Sequence, residues 1–459
     1  NNMQKKSYWN ETVSIPARNP LAGDISIDTV IIGGGMAGIL TAFLLKKKGR
    51  ECIVLEAERI GGGQTGCTTA KVTSQHNLIY ADLIKTKGEV LARQYAQANE
   101  AAIREYESVI RQNKIDCDWK ECPAYLYADR KKTELHNEYM AALHLGIPAR
   151  WTEDTELPFR VEGALRFDAQ ARFHPIKFLK AVSDEVTVFE NTKVIKVTDN
   201  GVETDKGNVQ AANIVFACHY PFVNIPGYYF MRMYQERSYV LAVKGAPPLN
   251  GVYLGVDQDS LSLRTAGELL LIGGEGHRTG EDTCGGQYGK LKSAAARWWP
   301  DSKEAYRWSA QDCMTLDKVP YIGRYSRRKQ NWFVATGFQK WGMTSSMVSA
   351  MILSDMITGE KNRHEEVFSP QRHIGQDAAG NVCKESGHTA VTLTKPSGLP
   401  EDKKEKVRTT RCSHLGCHLS WNPEEKTYEC PCHGSRFDCR GRVIDGPAQK
   451  DITAGGGDE

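Results

Sequence analysis

The stretch from Asp28 to Glu56 constrains the fold most. Asp28-Thr29-Val30-Ile31-Ile32 is a short apolar run that ends in Gly33-Gly34-Gly35-Met36-Ala37-Gly38. A helix-like stretch from Ile39 to Lys48 follows, then a second apolar run, Cys52-Ile53-Val54-Leu55, which ends at Glu56. This order is strand, glycine turn, helix, strand, acid. The glycines allow a tight turn and close approach of the backbone to a pyrophosphate, and the helix N-terminus offers free N–H groups to it. Glu56 stands eighteen residues after Gly38, where a carboxylate can accept from a ribose hydroxyl pair. A membrane span from Val30 to Leu45 is excluded, because the run is short and carries four glycines near its start. The expectation is a dinucleotide site built on Gly33, Gly35, Met36, Ala37, Gly38 and Glu56. The glycine turn alone does not choose between FAD and NAD.

A second centre is written near the other end. Cys412-Ser413-His414-Leu415-Gly416-Cys417 is followed by Cys430-Pro431-Cys432-His433-Gly434-Ser435. Two Cys-plus-His pairs on two loops can hold a [2Fe–2S] cluster, with thiolates on one iron and imidazoles on the other. Cys₂His₂ is also a zinc ligand set. Zinc, however, requires neither the extra cysteine in each loop nor Gly434-Ser435 directly after the last ligand. Cys439 lies outside the pattern and reads as a bystander.

The words around these ligands resemble the disulfide-bearing branch of the Rieske family. The resemblance implies Cys412 and Cys430 on one iron, His414 and His433 on the other, and a Cys417–Cys432 disulfide tying the loops. It also implies that the Ser435 hydroxyl donates to a cluster sulfur and that Gly446-Pro447-Ala448 covers the cluster. Phe437 stands where the highest-potential relatives carry a tyrosine.

The rest of the chain, from about residue 25 to 370, resembles the D-amino-acid oxidase-like flavoproteins, a group that includes glycine, sarcosine and γ-glutamylputrescine oxidases. Arg59-Ile60-Gly61-Gly62-Gly63-Gln64-Thr65-Gly66 looks like their second glycine turn. Trp332 to Phe338, then Gln339-Lys340-Trp341-Gly342-Met343-Thr344 and a helix-like run to Ile357, look like their last strand and helix. There the helix N-terminus faces the pyrimidine edge of the flavin and stabilises the anionic reduced form. Thr192-Lys193-Val194, the strand ending at Cys218, Leu270 to Gly274 and Asp317 to Gly323 also fit. The resemblance implies FAD and adds Ala57, Gly63, Gln64, Thr65, Val194, Gly337, Gly342, Met343 and Thr344 to the cofactor-binding set.

The expected architecture is an α/β FAD-binding domain, Rossmann-like and of the glutathione-reductase type, with an α+β substrate domain and a small all-β Rieske domain. Residues 1–372 form the oxidoreductase, with FAD-binding segments near 25–80, 170–220 and 310–360 and substrate segments near 81–169 and 221–309. Lys361 to Arg411 is polar; 373–395 reads as a linker, 396–459 as the Rieske domain, and Gly455 to Glu459 as a disordered tail.

Composition sets limits. A net charge of +3 gives no bulk field toward nucleic acid. Mean hydropathy is −0.47, and no transmembrane segment or secretion signal is evident. Of thirteen cysteines, four belong to the cluster pattern as ligands or disulfide partners, and the scatter of the others suits reduced thiols in a cytoplasm. The disulfide is then an exception that needs shielding.

Relatives of this flavoprotein kind move a hydride from a C–N carbon to flavin N5, which demands orientation more than acid–base help. Substrate anchors are therefore the residues to seek. Lys340 and Trp341 rank first, because the resemblance sets them beside the flavin. Arg237 and Tyr239 follow, on an alternating strand, ahead of Arg264 and His277. Trp298 and Trp299 read as core. Cys67 stands near the point where some relatives attach their flavin covalently. Joining a two-electron flavin to a one-electron cluster points to a dehydrogenase of amines or amino acids that passes single electrons to or from an external carrier, such as a ferredoxin or a quinone-linked acceptor. A Rieske oxygenase would need an iron site of two histidines and a carboxylate; the pairs His136 with His144 and His364 with His373 sit in no such ligand word. A redox sensor without turnover is the other alternative.

Overall fold

The computed structural model describes residues 7–373, 376–394, 399–404 and 407–453. Among these residues the chain builds three sheets. The first has eight strands. At its centre Ile25–Ile32 lies parallel to Asn208–Phe216 on one side and Cys52–Leu55 on the other. Lys329–Thr336 extends it in parallel and Tyr321–Ser326 closes that edge antiparallel. Val30 and Ile31 are fully buried. A strand covered on both faces reads as a continuous apolar run, as this one does.

The helix Met36–Lys47 leaves the glycine turn and packs against the helix Gly342–Thr358. Buried residues surround both helices, so neither shows a polar stripe in its core turns. Both begin without a side-chain cap, at Gly35 and Trp341. The Met36 N–H donates instead to Thr65 Oγ1 at 3.0 Å, and the Gly342–Thr358 helix starts at the space between the sheets.

The second sheet has nine strands and is mostly antiparallel. Lys303–Thr315, Met233–Lys244 and Leu269–Arg278 run side by side at one end, and Lys71–Val72 lies at the other. This sheet takes in Lys71–Val72 and runs on to Thr315, so the expected limits at 80 and 309 do not follow the sheets.

The third sheet, Ser420–Asn422, Thr427–Glu429, Arg436–Phe437 and Val443–Asp445, carries the cysteine and histidine loops. The segment expected as a linker is different: Gln376–Thr394 is a helix. Its polar sequence hid tertiary docking. Arg278 pairs with Glu385 through two hydrogen bonds of 3.0 and 2.7 Å, and His388 Nε2 lies 2.9 Å from Glu281 Oε1. Before Cys412 the described residues of the small domain form no strand, only the bridges Val407–Thr453 and Arg411–His418. The tail from Gly455 lies outside the described residues. Among the described residues no helix is long and apolar enough to cross a membrane.

Candidate active site and cluster centre

The glycine turn opens onto a cavity of about 770 Å³ between the first two sheets. Gly33 has φ +115°, and a Cβ there would lie 2.5 Å from the Ala217 carbonyl oxygen. A Cβ at Gly38 would lie 2.0 Å from the Gly33 carbonyl oxygen. Both positions therefore require glycine, one for backbone conformation and one for contact between helix and strand. Glu56 accepts from the Gly34 N–H at 2.7 Å and from the Glu58 N–H at 2.8 Å. Burial raises its pKa while those two bonds oppose the rise.

Of the cofactor-binding candidates, Gly33, Gly35, Met36, Ala37 and Glu56 line the cavity. So do Ala57, Gly63, Gln64, Thr65 and Val194, and at the far end Gly342 and Met343. Three candidates do not. Gly38 underlies the turn. Gly337, at φ +71°, faces Thr315. Thr344 turns its hydroxyl to the Thr73 carbonyl, 3.2 Å away, and to His76 Nε2, 3.1 Å away. A glycine turn at the start of a helix, a second glycine turn beside it and one acid fit a dinucleotide. The residues that would hold it are the turn Gly33–Ala37, Glu56 and the second turn Gly63–Thr65.

The expected substrate anchors divide. Lys340 lines the cavity, with Nζ 3.3 Å from Glu236 Oε2 and 3.5 Å from Asp312 Oδ2. Burial would lower its pKa, but the two carboxylates outweigh burial and raise it. Trp341 also lines the cavity and stacks on His76, with ring centroids 4.6 Å apart. Burial lowers His76 to about 3 and keeps it neutral.

Arg237 is not at the cavity. Glu236 and Ser238 face that space, so strand alternation turns Arg237 the other way. It is 1% exposed and donates to Ser309 Oγ and Gln311 Oε1, each at 2.6 Å. Its Nε lies 3.5 Å from Glu429 Oε1 of the cluster domain. Tyr239 touches the cavity wall, but its hydroxyl lies 3.0 Å from His277 Nε2 and accepts from Asn422 Nδ2 at 3.3 Å. Arg264 is buried and donates to the Thr69 and Ala70 carbonyls at 2.9 and 2.6 Å. Cys67 lines the cavity, where burial pushes its thiol up to about 12.

Sequence reasoning missed Lys71. It lines the cavity and donates to the Tyr253 carbonyl at 3.2 Å and to Ser262 Oγ. No described carboxylate lies within ion-pair distance of it. Burial, aided by Arg264, lowers it to about 7. Its two-residue strand has too short a pattern to mark it.

The cluster loops repeat one backbone design. In each, the fifth residue donates to the first carbonyl at 2.9 Å: Gly416 N–H to Cys412, Gly434 N–H to Cys430. Gly416 and Gly434 have φ +80° and +81°, a conformation that favours glycine. A disulfide joins Cys417 to Cys432, and the Cys430 sulfur lies within 4.8 Å of both its sulfurs. Cys412 is held below its usual range, at about 7, by hydrogen bonding from Cys430. The His414 and His433 rings lie 5.0 Å apart. Both Nδ1 atoms are buried and have no hydrogen-bond partner. Such atoms are rare unless a metal takes them. Two adjoining thiols and two unpartnered imidazole nitrogens fit the donor set of a [2Fe–2S] cluster. Ser435 Oγ accepts from the Ala448 N–H at 3.0 Å, which leaves its proton for the Cys412 sulfur.

The two centres adjoin. Asp445, Gly446 and Gln449 of the cluster domain form part of the wall of the large cavity. Gln64 Nε2 donates to Asp445 Oδ1 at 3.1 Å, and Lys193 Nζ to the Gln449 carbonyl at 2.9 Å. Arg278 donates to the carbonyls of Pro431 and Cys432 at 2.9 and 3.1 Å. Asn224 Oδ1 lies 2.9 Å from His414 Nε2.

Comparison with known proteins agrees with this division. The family of FAD dependent oxidoreductases called DAO matches residues 28–356, and the Rieske [2Fe-2S] domain matches 376–454, a start earlier than the expected 396. The protein YhfW of Bacillus subtilis (strain 168), named for a Rieske 2Fe-2S iron–sulfur protein, is 35% identical over 97% of both chains. Cytochrome b6-f complex iron–sulfur subunit 1 of Nostoc sp. is 51% identical over 42 residues, 9% of this chain and 24% of that one. Among solved structures, glycine oxidase from Geobacillus kaustophilus has a TM-score of 0.64 at 20% identity, covering 76% of this chain and 100% of that one. L-proline dehydrogenase from P. horikoshii has a TM-score of 0.64 at 17% identity, covering 76% and 98%. The chain belongs to the DAO family of FAD-dependent oxidoreductases and carries a Rieske [2Fe–2S] domain at its C-terminal end.

Proposed function

We propose that the protein is a dehydrogenase of an amine or amino acid that discharges its flavin one electron at a time through its own cluster to an external carrier. Bound FAD supplies a hydride acceptor and the [2Fe–2S] centre a one-electron carrier. The observation that carries the reading is the shared wall: Asp445, Gly446, Ala448 and Gln449 of the cluster domain line the cavity that the glycine turn opens. An oxidase that reduces oxygen directly has no need of such a neighbour.

The chain's own residues then have these tasks. The uncapped start of Gly342–Thr358 directs N–H dipoles into the cavity and stabilises negative charge there. Trp341, stacked on neutral His76, forms a flat wall that restricts substrate orientation. Lys71 replaces Arg237 as the cation for a substrate carboxylate, because it has no carboxylate partner. Lys340, shared between Glu236 and Asp312, leaves one negative charge over for a substrate ammonium. The unpaired thiols Cys52, Cys67 and Cys218 suit a cytoplasmic protein.

The test is His433→Ala. Anaerobic flavin reduction by a reactive amine should persist, while transfer to a one-electron acceptor falls at least roughly tenfold, the equivalent of about 1.4 kcal/mol of barrier. Onward transfer at the parent rate would defeat the relay. A protein whose flavin no amine or amino acid reduces would favour the sensor.

A further inference from the structure

Three glutamines far apart in sequence meet between the cavity and the cluster. Gln311 is fully buried, and all its polar atoms are engaged. Its backbone N–H donates to Gln64 Oε1 at 2.7 Å, and its Nε2 donates to the Gly434 carbonyl at 2.7 Å and to Gln235 Oε1 at 2.9 Å. Its Oε1 accepts from Arg237 at 2.6 Å and from Thr279 Oγ1 at 3.2 Å. Gln235, 1% exposed, donates from Nε2 to the His433 carbonyl at 2.7 Å and to the Gly446 carbonyl at 3.0 Å. Gln64 stands in the cavity wall and completes the row by donating to Asp445.

We propose that Gln64, Gln235 and Gln311 are positioning residues that hold the cluster loop His433–Gly434 against the flavin cavity and so set the rate of electron exchange between the two centres. The proposal rests on the relay reading above.

Burying amides is costly unless each is hydrogen-bonded, so a saturated trio marks a fixed arrangement. The trio bonds to the carbonyls of a cluster ligand, of its neighbour Gly434 and of Gly446, and through Gln64 to Asp445 at the cavity. A path of two glutamines, 311 and 64, runs from the Gly434 carbonyl to the cavity wall. The contact is steric as well: a Cβ at Gly434 would lie 2.5 Å from Gln235 Cβ. Amides carry no charge, so the trio fixes distance without adding a field that shifts either potential. The ion pairs nearby, Arg237 with Glu429 and with Asp445, hold the domains together but reach no carbonyl of the ligand loop.

The test uses the full chain with both cofactors. Gln311→Leu removes the side-chain bridge. Gln311→Glu keeps its length and the acceptor for Arg237 but has no N–H for Gly434. A laser flash with 5-deazariboflavin and EDTA supplies one electron per event, from photo-oxidised EDTA, and the later redistribution between flavin and cluster is followed by absorbance. Flavin content and the cluster EPR signal should match the parent in both variants, and both midpoint potentials should match it in Gln311→Leu, which adds no charge. Internal exchange should slow roughly tenfold in both variants, as the buried Gly434 carbonyl is left unpaired. Amide hydrogen exchange across residues 430–449 should quicken by a similar factor. Exchange between centres within twofold of the parent in a variant that holds both cofactors overturns the bridge alone. No internal exchange in the parent overturns the relay and the bridge together.

Discussion

Lys71 shows how a single side chain can cost stability for the sake of a site. It stands in a cavity wall without a carboxylate partner, and burial lowers it from 10.5 to about 7. Between those values the unfolded chain holds a proton that the folded chain does not. Folding is therefore disfavoured by this group below about pH 7, and the penalty is relieved as pH rises toward 10.5. Lys71→Met should raise the thermal midpoint of the holoprotein at pH 6 and lose most of that gain near pH 10. Equal gains at both pH values would show that Lys71 is ordinarily solvated. Ser435 acts on the other centre. Its hydroxyl proton is free for the Cys412 sulfur, and such a bond favours the reduced, more negative cluster. Ser435→Ala should lower the cluster potential by about 60 mV, the one-electron equivalent of about 1.4 kcal/mol. Phe437, fully buried beside it, has no hydroxyl to compensate. Protein-film voltammetry checks the shift, and an unchanged potential would remove Ser435 from the account.

At the scale of elements, the legible parts were those fixed by local chemistry. The glycine turn announces itself because Gly33 and Gly38 each exclude any side chain, one by conformation and one by contact. Gly38→Ala should cost about 2–4 kcal/mol and sharply weaken FAD binding, since the added Cβ meets a backbone carbonyl that cannot move aside cheaply. Gly63→Ala, with nothing within 4 Å of the added carbon, should cost about 1 kcal/mol or less. Chemical denaturation with flavin fluorescence separates the two; similar losses would mean that the glycines act only through flexibility. The cluster loops were legible for the same reason, each being a six-residue turn with its ligands and glycine in place. The helix Gln376–Thr394 was not. Its sequence is polar, and what orders it is Arg278 and Glu281 on a strand and turn about a hundred residues earlier. The phase of Met233–Lys244 was equally hidden. Alternation was visible, but which face meets the cavity depends on what docks against the other face.

The whole molecule depends on that docking. Arg237, read from sequence as a substrate anchor, lies instead among Glu429, Asp445 and Gln311 in the seam between domains. Nothing in residues 233–244 could reveal a partner nearly two hundred positions away. Arg237→Met should destabilise the protein by about 3 kcal/mol, since it removes one partner of a buried pair while Arg436 still neutralises Glu429. A substrate anchor would alter KM and leave the denaturation midpoint in place. The seam also makes the cofactor cavity a property of the complete chain, because Asp445, Gly446 and Gln449 close it. The most direct measurement of the central claim is an anaerobic single turnover, quenched by freezing and read by EPR. The oxidised holoprotein is mixed with the most reactive of a panel of amines and amino acids. The account predicts that the flavin bleaches first and that the reduced Rieske signal then rises at a rate independent of protein concentration. A bleached flavin beside a cluster that stays oxidised, or a signal whose rate scales with protein concentration, would contradict it.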